Sequence, residues 1–175
     1  MTRWIALLRG VNVGGITVRS ADLRDLFREL GFANVSTVLA SGNVLFDSED
    51  AADDLKPRIE RALGERFRYD AWIVLIDRAT LERIAAAFPF ERADEQFTPY
   101  VVFGSDPALL RDLADAAGVP DPAVESVVLG DGALYWRVVK GRTIDSPVGK
   151  LLAKGKYRTT TTNRNLRTVE KLLAA

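Results

Sequence analysis

"SADLRDLFRELGFANVSTVLASGNVLFD", Ser20 to Asp47, decides the fold. Its first half reads as one helix, Ser20 to Leu30. Ser20 is placed to cap the free N–H groups, and Leu23, Leu26, Phe27 and Leu30 recur at i, i+3, i+4 and i+7. Gly31 stands where a left-handed residue ends a helix, and Phe32 can pack back on the last turn. The period then changes. "VSTVLA" and "NVLFD" read as two strands joined around Ser41 and Gly42.

Working outward, Arg3 to Arg9 reads as a buried strand before this helix. After the hairpin comes a second helix, with Leu55, Ile59, Ala62, Leu63 and Phe67 on one side. Pro57 is cheap only in a first turn, which puts the regular start near Asp53 or Asp54. "AWIVLI", Ala71 to Ile76, is apolar on both faces and reads as a strand. Strand, helix, strand, strand, helix, strand is the split β-α-β, or ferredoxin-like, order. That order argues a fold and no function.

The second half repeats the pattern in part. A helical linker, Thr80 to Phe88, is ended by Pro89, and "TPYVVFG" is a strand. "DPALLRDLADAAG" is a helix with Asp106 as cap, Pro107 at its first position and Gly118 at its end. "ESVVLG" and "ALYWRVV" form a hairpin around Asp131 and Gly132. "SPVGKLLAKG" and "NRNLRTVEKLLA" close the chain as helices, the latter where a fourth strand would fit. The expectation is an α+β chain of two ferredoxin-like subdomains, the second incomplete, with C-terminal helices. Residues 1–78 form the first and residues 79–175 the second.

Composition narrows the chemistry. At 47% hydrophobic and 27% charged, the 175 residues suit a soluble globular protein. No apolar run approaches the roughly 20 residues a bilayer span needs. The opening "WIALL" is short for a signal-peptide core, so the expected location is cytoplasmic, with no membrane partner. Cysteine and histidine are both absent. That excludes disulfides, thiolate or imidazole metal sites and triads that need His or Cys. No metal and no cofactor is expected. Net charge is zero, but Arg137 to Lys171 carries ten basic residues opposed only by Asp145 and Glu170. The stretch from Asp106 to Asp131 leans acidic. The basic end can meet an external anion or the protein's own acidic surface.

Three stretches are candidates for binding. "LLRGVNVGG", residues 7 to 15, is rich in glycine. Gly10 and Gly15 have P-loop spacing, but Ile16 and Thr17 follow, with no lysine, and the Gly-x-Gly-x-x-Gly pattern is missing. The loop fits either turn geometry or close approach to a ligand through Arg9, Asn12, Gly14 and Gly15. "ASGNVLF" places Ser41 and Asn43 beside it if the first and third strands are antiparallel neighbours. Asn43 fits local turn bonding equally well. "KYRTTTTNRN", Lys156 to Asn165, precedes the last helix, with Thr162 or Asn163 as N-cap. Arg158 and Arg164 flank it, so it suits an anion or simple capping.

On "ALLRGVNVGG", "ADLRDLFRELGFANVSTVLASGNVLF", "GKLL" and "TTNRNLRTVEKLL", the chain resembles the bacterial domain-of-unknown-function family 1697 almost end to end. The family usually shows Ser-Lys-Leu where this chain has Gly149-Lys150-Leu151. It usually has Thr-Arg-Asn-Trp-Asn-Thr-Val where this chain has Asn163 to Val169. Lys150, Arg164, Asn165 and Thr168 are kept, while the serine, the tryptophan and the second asparagine are not. The resemblance implies a two-subdomain α+β fold and no particular activity.

Arg9, Asn12, Gly14, Gly15, Ser41, Asn43, Lys150, Arg164 and Asn165 are therefore the candidate contacts for a small anionic ligand, phosphate- or carboxylate-bearing. No acid–base pair stands out, so whether the chain is an enzyme is left open. A nucleic-acid role is disfavoured, because the central strands offer only Trp4 and Phe46 for stacking and net charge is zero. The third class is a protein–protein module using the sheet edges. The sequence does not fix an oligomeric state.

Overall fold

The computed structural model describes residues 1–12, 15–40 and 42–175. The chain divides into two units, Met1–Glu82 with Glu170–Ala175, and Arg83–Val169.

The first unit runs β1 (Thr2–Leu8), α1 (Ser20–Glu29), β2 (Ala33–Thr37), β3 (Asn43–Ser48), α2 (Ala52–Phe67), β4 (Ile73–Asp77), and α3 (Arg78–Ala86) follows. Its sheet order is β2-β3-β1-β4, every neighbour antiparallel. This is the ferredoxin-like arrangement expected from Ser20–Asp47. Ala6, Leu8, Val44 and Phe46 on the sheet meet Leu23 and Phe27 of α1 and Leu55, Ile59 and Leu63 of α2 in one buried core. The rings of Phe27 and Phe32 lie 5.9 Å apart, and Phe32 N–H donates to the Phe27 carbonyl, so Phe32 does pack back on the helix end. Ile5, Leu7 and Leu45, on the alternate strand face, are also fully buried. A strand buried on both faces has no polar alternation, which explains the unbroken "IALL" run.

Two local details differ from the sequence reading. Ser20 is the first helical residue and Arg19 is the N-cap, with no side-chain capping bond. Helix α2 starts at Ala52, so Pro57 is its sixth residue and the Asp53 carbonyl loses its usual donor. Both positions are at the surface, where water takes up an unpaired backbone group.

The second unit runs β5 (Phe97–Gly104), α4 (Pro107–Ala117), β6 (Glu125–Leu129), β7 (Leu134–Val139), α5 (Pro147–Leu152), α6 (Gly155–Thr160), β8 (Thr161–Asn165), and α7 (Leu166–Ala174) follows. Asp106 caps α4 by accepting from Leu109 N at 2.9 Å, with Pro107 at the first helical position, as expected. Sheet order is β6-β7-β5-β8, the same permutation as in the first unit. The expectation of an incomplete second subdomain is thus corrected: Thr161–Asn165 is the fourth strand, pairing with β5 from Gly104 to Tyr100. Helix α7 accordingly begins at Leu166. The Arg167 N–H in its first turn is met by Asn165, whose Oδ1 accepts at 2.9 Å, and not by Thr162 or Asn163.

The core of this unit gathers Val102, Leu110, Leu113, Leu134, Trp136, Val138, Val148 and Tyr157. Tyr100 stacks on Trp136 at 5.0 Å. A carboxylate sits inside this apolar cluster. Glu125, fully buried, accepts from Trp136 Nε1 through Oε1 and from Val148 N through Oε2, each at 3.0 Å. It thereby ties β6, β7 and the start of α5 together. Next to it, Ser146 caps α5 by accepting from Gly149 N at 3.1 Å.

Candidate functional site

Within the first unit, the glycine-rich loop lies against the β2–β3 connection. The β1–β3 register pairs Leu7 with Asn43, so the exit of one strand meets the entry of the other. Gly42 lies so close to β1 that a Cβ there would stand 2.6 Å from Val11 Cγ2 and 2.9 Å from Leu8 Cβ. Its φ of +76° also favours glycine. Asn12 is held with φ +58°. Its Oδ1 accepts from Val18 N at 3.0 Å, and its Nδ2 donates to Val18 O at 3.3 Å and to Ala40 O. Both amide hydrogens and the carbonyl are engaged by backbone. Asn43 is fully buried, and its Nδ2 donates to Val38 O at 2.8 Å. Asn12 staples the loop to the hairpin, and Asn43 closes the hairpin connection itself. Gly15, with φ +95°, has open space where a side chain would point. Arg9 is half-buried, and its backbone N–H donates to Trp72 O at 3.2 Å. Gly14 and Ser41 lie outside the described residues.

Within the second unit, the antiparallel register brings three strand ends to one place. Phe97 at the start of β5 faces Val139 near the end of β7, and Tyr100 faces Asn165 at the end of β8. There a groove is lined by Arg92, Ala93, Asp94, Glu95, Phe97, Thr98, Pro99, Lys140, Asn165 and Arg167. Lys140 and Arg167 are exposed, and α7 begins at the groove wall with Asn165 as its cap. Asp94 is committed elsewhere: it accepts from Gln96 N at 2.8 Å and lies 4.0 Å from Arg137. Arg137 in turn lies over the Phe97 ring at 4.4 Å. The Arg92 guanidinium donates to Ala85 O on its own wall. Three cations, Arg92, Lys140 and Arg167, thus line the groove with two carboxylates, Asp94 and Glu95.

Among the described residues, Asn165 is the one sequence-predicted residue in this groove. Lys150 lines a different groove on α5, with Arg142, Asp145, Pro147, Leu151 and Lys154. Arg164 is enclosed. It donates to Thr162 Oγ1 at 2.8 Å and to Asn163 O at 2.9 Å, and burial pushes its pKa down to about 10. Alternation along β8 explains the split, since neighbouring strand residues point to opposite faces. Arg92, Lys140 and Arg167 were missed by sequence reasoning. Lys140 and Arg167 do belong to the basic stretch from Arg137 to Lys171, but only strand register selects them from it. That stretch also meets the protein's own acidic segment, as Lys156 Nζ lies 2.6 Å from Asp112. The Tyr157 hydroxyl also donates to Asp112, and these hydrogen bonds hold the Asp112 carboxyl below its ordinary value.

The family model for DUF1697, described as a protein of unknown function, matches residues 1–135. The chain belongs to that family. The conserved bacterial protein SP0830 from Streptococcus pneumoniae is similar in fold, with a TM-score of 0.83 at 24% identity. The likeness covers 99% of this chain and 97% of that one. No curated protein matches. In this DUF1697 member, Gly149 lies in the first turn of α5. A Cβ there would lie 1.9 Å from the Thr143 carbonyl oxygen, so the local backbone accepts only glycine. Among the described residues no helix is long and apolar enough to cross a membrane. Nor is there among them a group of three acidic side chains placed to hold a metal ion.

Proposed function

We propose that the chain binds a small anion-bearing ligand, phosphate or carboxylate, in the groove of the second unit at the start of α7. The observation that carries this reading is the meeting of Arg92, Lys140 and Arg167 with Asn165 around one concavity. Guanidinium and ammonium donors facing an oxyanion form the stronger, charge-assisted class of hydrogen bond. The first free N–H groups of α7 add a favourable dipole beside them. Phe97 and Pro99 supply an apolar wall for the remainder of the ligand. In the first unit, Asn12 and Asn43 act as loop fasteners, and Arg9 with Gly15 are assigned to shaping the strand exit.

Burial of Ile5, Leu7 and Leu45 argues against RNA stacking on the central strands, because that mode needs an open sheet face.

A thermal-shift screen against nucleotides, sugar phosphates and carboxylates at matched ionic strength tests the reading. A ligand that binds the folded form alone raises the melting temperature. We expect at least one phosphate or carboxylate to do so in the wild type, and Lys140→Ala/Arg167→Ala to respond less. A flat response to every anion, or an equal response from the double variant, overturns the proposal.

A further inference from the structure

Three of the four sheet edges carry a charged side chain on their backbone. On the β2 edge, Arg3 Nη1 donates to Asn34 O at 2.7 Å, and the strand is irregular between Ala33 and Ser36. On the β4 edge, Lys56 Nζ donates to Ile73 O at 2.8 Å while Ile73 N donates to Glu60 Oε1 at 3.2 Å. On the β8 edge, Arg164 takes the Asn163 carbonyl. Such devices stop a sheet edge from recruiting another strand.

The β6 edge is different. Gly130 N donates to Ala133 O and Val139 N to Val124 O, so the even-numbered residues of β6 turn their backbone groups toward β7. Glu125, Val127 and Leu129 therefore turn theirs outward. Glu125 N is satisfied by Asp121 O at 2.9 Å. Among the described residues, nothing pairs with the backbone N–H and C=O of Val127 or Leu129. Val128 and Leu129 are each 41% exposed, and Ser126 to Leu129 contains neither a charge nor a proline.

We infer that β6 is a docking edge for an extended segment of another protein, apolar at alternate positions and basic at its ends. The backbone pattern requires an extended partner, since only a strand matches donors and acceptors at this spacing. Charge selects its ends. Asp121 precedes the edge, and Asp131, whose carboxylate is 91% exposed although 2.9 Å from Arg83, follows it. Antiparallel pairing with a second copy brings the Asp121 end of one strand to the Asp131 end of the other, a like-charge contact. Lysine or arginine flanks on a different chain meet both ends favourably.

The test uses the full chain and three synthetic peptides: Lys-Lys-Val-Thr-Val-Thr-Val-Lys-Lys, the same core with aspartate flanks, and the lysine-flanked core with proline at alternate positions. Binding is read by fluorescence anisotropy, and contact by protection of the Val127 and Leu129 amides from hydrogen exchange. We expect the lysine-flanked strand to bind and protect both amides, with the other two weaker by about tenfold or more. Leu129→Lys, a half-exposed position that tolerates charge, is expected to weaken it by a similar factor, and Val128→Lys provides a second variant. Equal binding of all three peptides overturns the inference. So does binding without protection at Val127 and Leu129, or self-association through β6 that the lysine-flanked peptide does not reverse.

Discussion

Gly149 and Thr143 are packed so that the carbonyl oxygen of the latter fills the place of a side chain on the former, 1.9 Å from an ideal Cβ. Backbone, not a flexible side chain, occupies that space, so relief requires moving the Thr143–Ser146 turn and the start of α5. We expect Gly149→Ala to destabilise the protein by about 1–3 kcal/mol, measured as a lower urea midpoint at unchanged slope. Gly149→Ser, which brings the same Cβ and a further oxygen, should be no milder.

The buried carboxylate of Glu125 gives a second expectation. Truncation by Glu125→Ala leaves Trp136 Nε1 and Val148 N without their acceptor inside the core. Each such donor costs about 1–3 kcal/mol, so a loss of roughly 2–6 kcal/mol in urea unfolding follows. Glu125→Gln keeps one acceptor oxygen and should fall between wild type and alanine.

The asparagine staple separates structure from binding. Asn12→Ala removes three hydrogen bonds between the glycine-rich loop and the residues around Val18 and Ala40. A stability loss of about 1–2 kcal/mol is expected. Anion-induced thermal shifts should keep the wild-type size, because the described residues that line the proposed groove all come from the second unit.

Asp77 sets a pH dependence. Burial pushes its pKa up, but hydrogen bonds from Thr80 N–H at 2.9 Å and Thr80 Oγ1 at 2.8 Å outweigh that, and the net value lies below the ordinary 3.8. A lowered folded-state pKa means the contribution is complete above pH 3.8 and is lost as pH falls through the folded value. Asp77→Ala should therefore cost about 1 kcal/mol at neutral pH, as for a lost helix cap. Urea melts repeated at descending pH should show the two proteins converging only in that acid range.

What the sequence makes legible is what local patterns encode. The first unit was written in local signals: the spacing of Leu23, Leu26, Phe27 and Leu30, the stop at Gly31, the hairpin turn. Helix α4 announced itself through Asp106, Pro107 and Gly118. Strand β8 did not, because "TTNRN" carries no apolar residue and only the threonines hint at a strand. Among the described residues, the groove was visible through Asn165 alone. Lys140 and Arg167 are ordinary surface cations in sequence, and Arg92 comes from a connecting segment. Their meeting follows from β5 pairing with both β7 and β8, which no local pattern encodes.

Titration of the ¹⁵N-labelled protein with inorganic phosphate, followed by amide chemical shifts at constant ionic strength, tests the proposed groove most directly. Saturable shifts should gather at Thr98, Lys140, Asn165 and Arg167, and be lost in Lys140→Ala/Arg167→Ala. Shifts that never saturate, that gather instead around Lys150 or the glycine-rich loop, or that persist unchanged in the double variant contradict the proposed site.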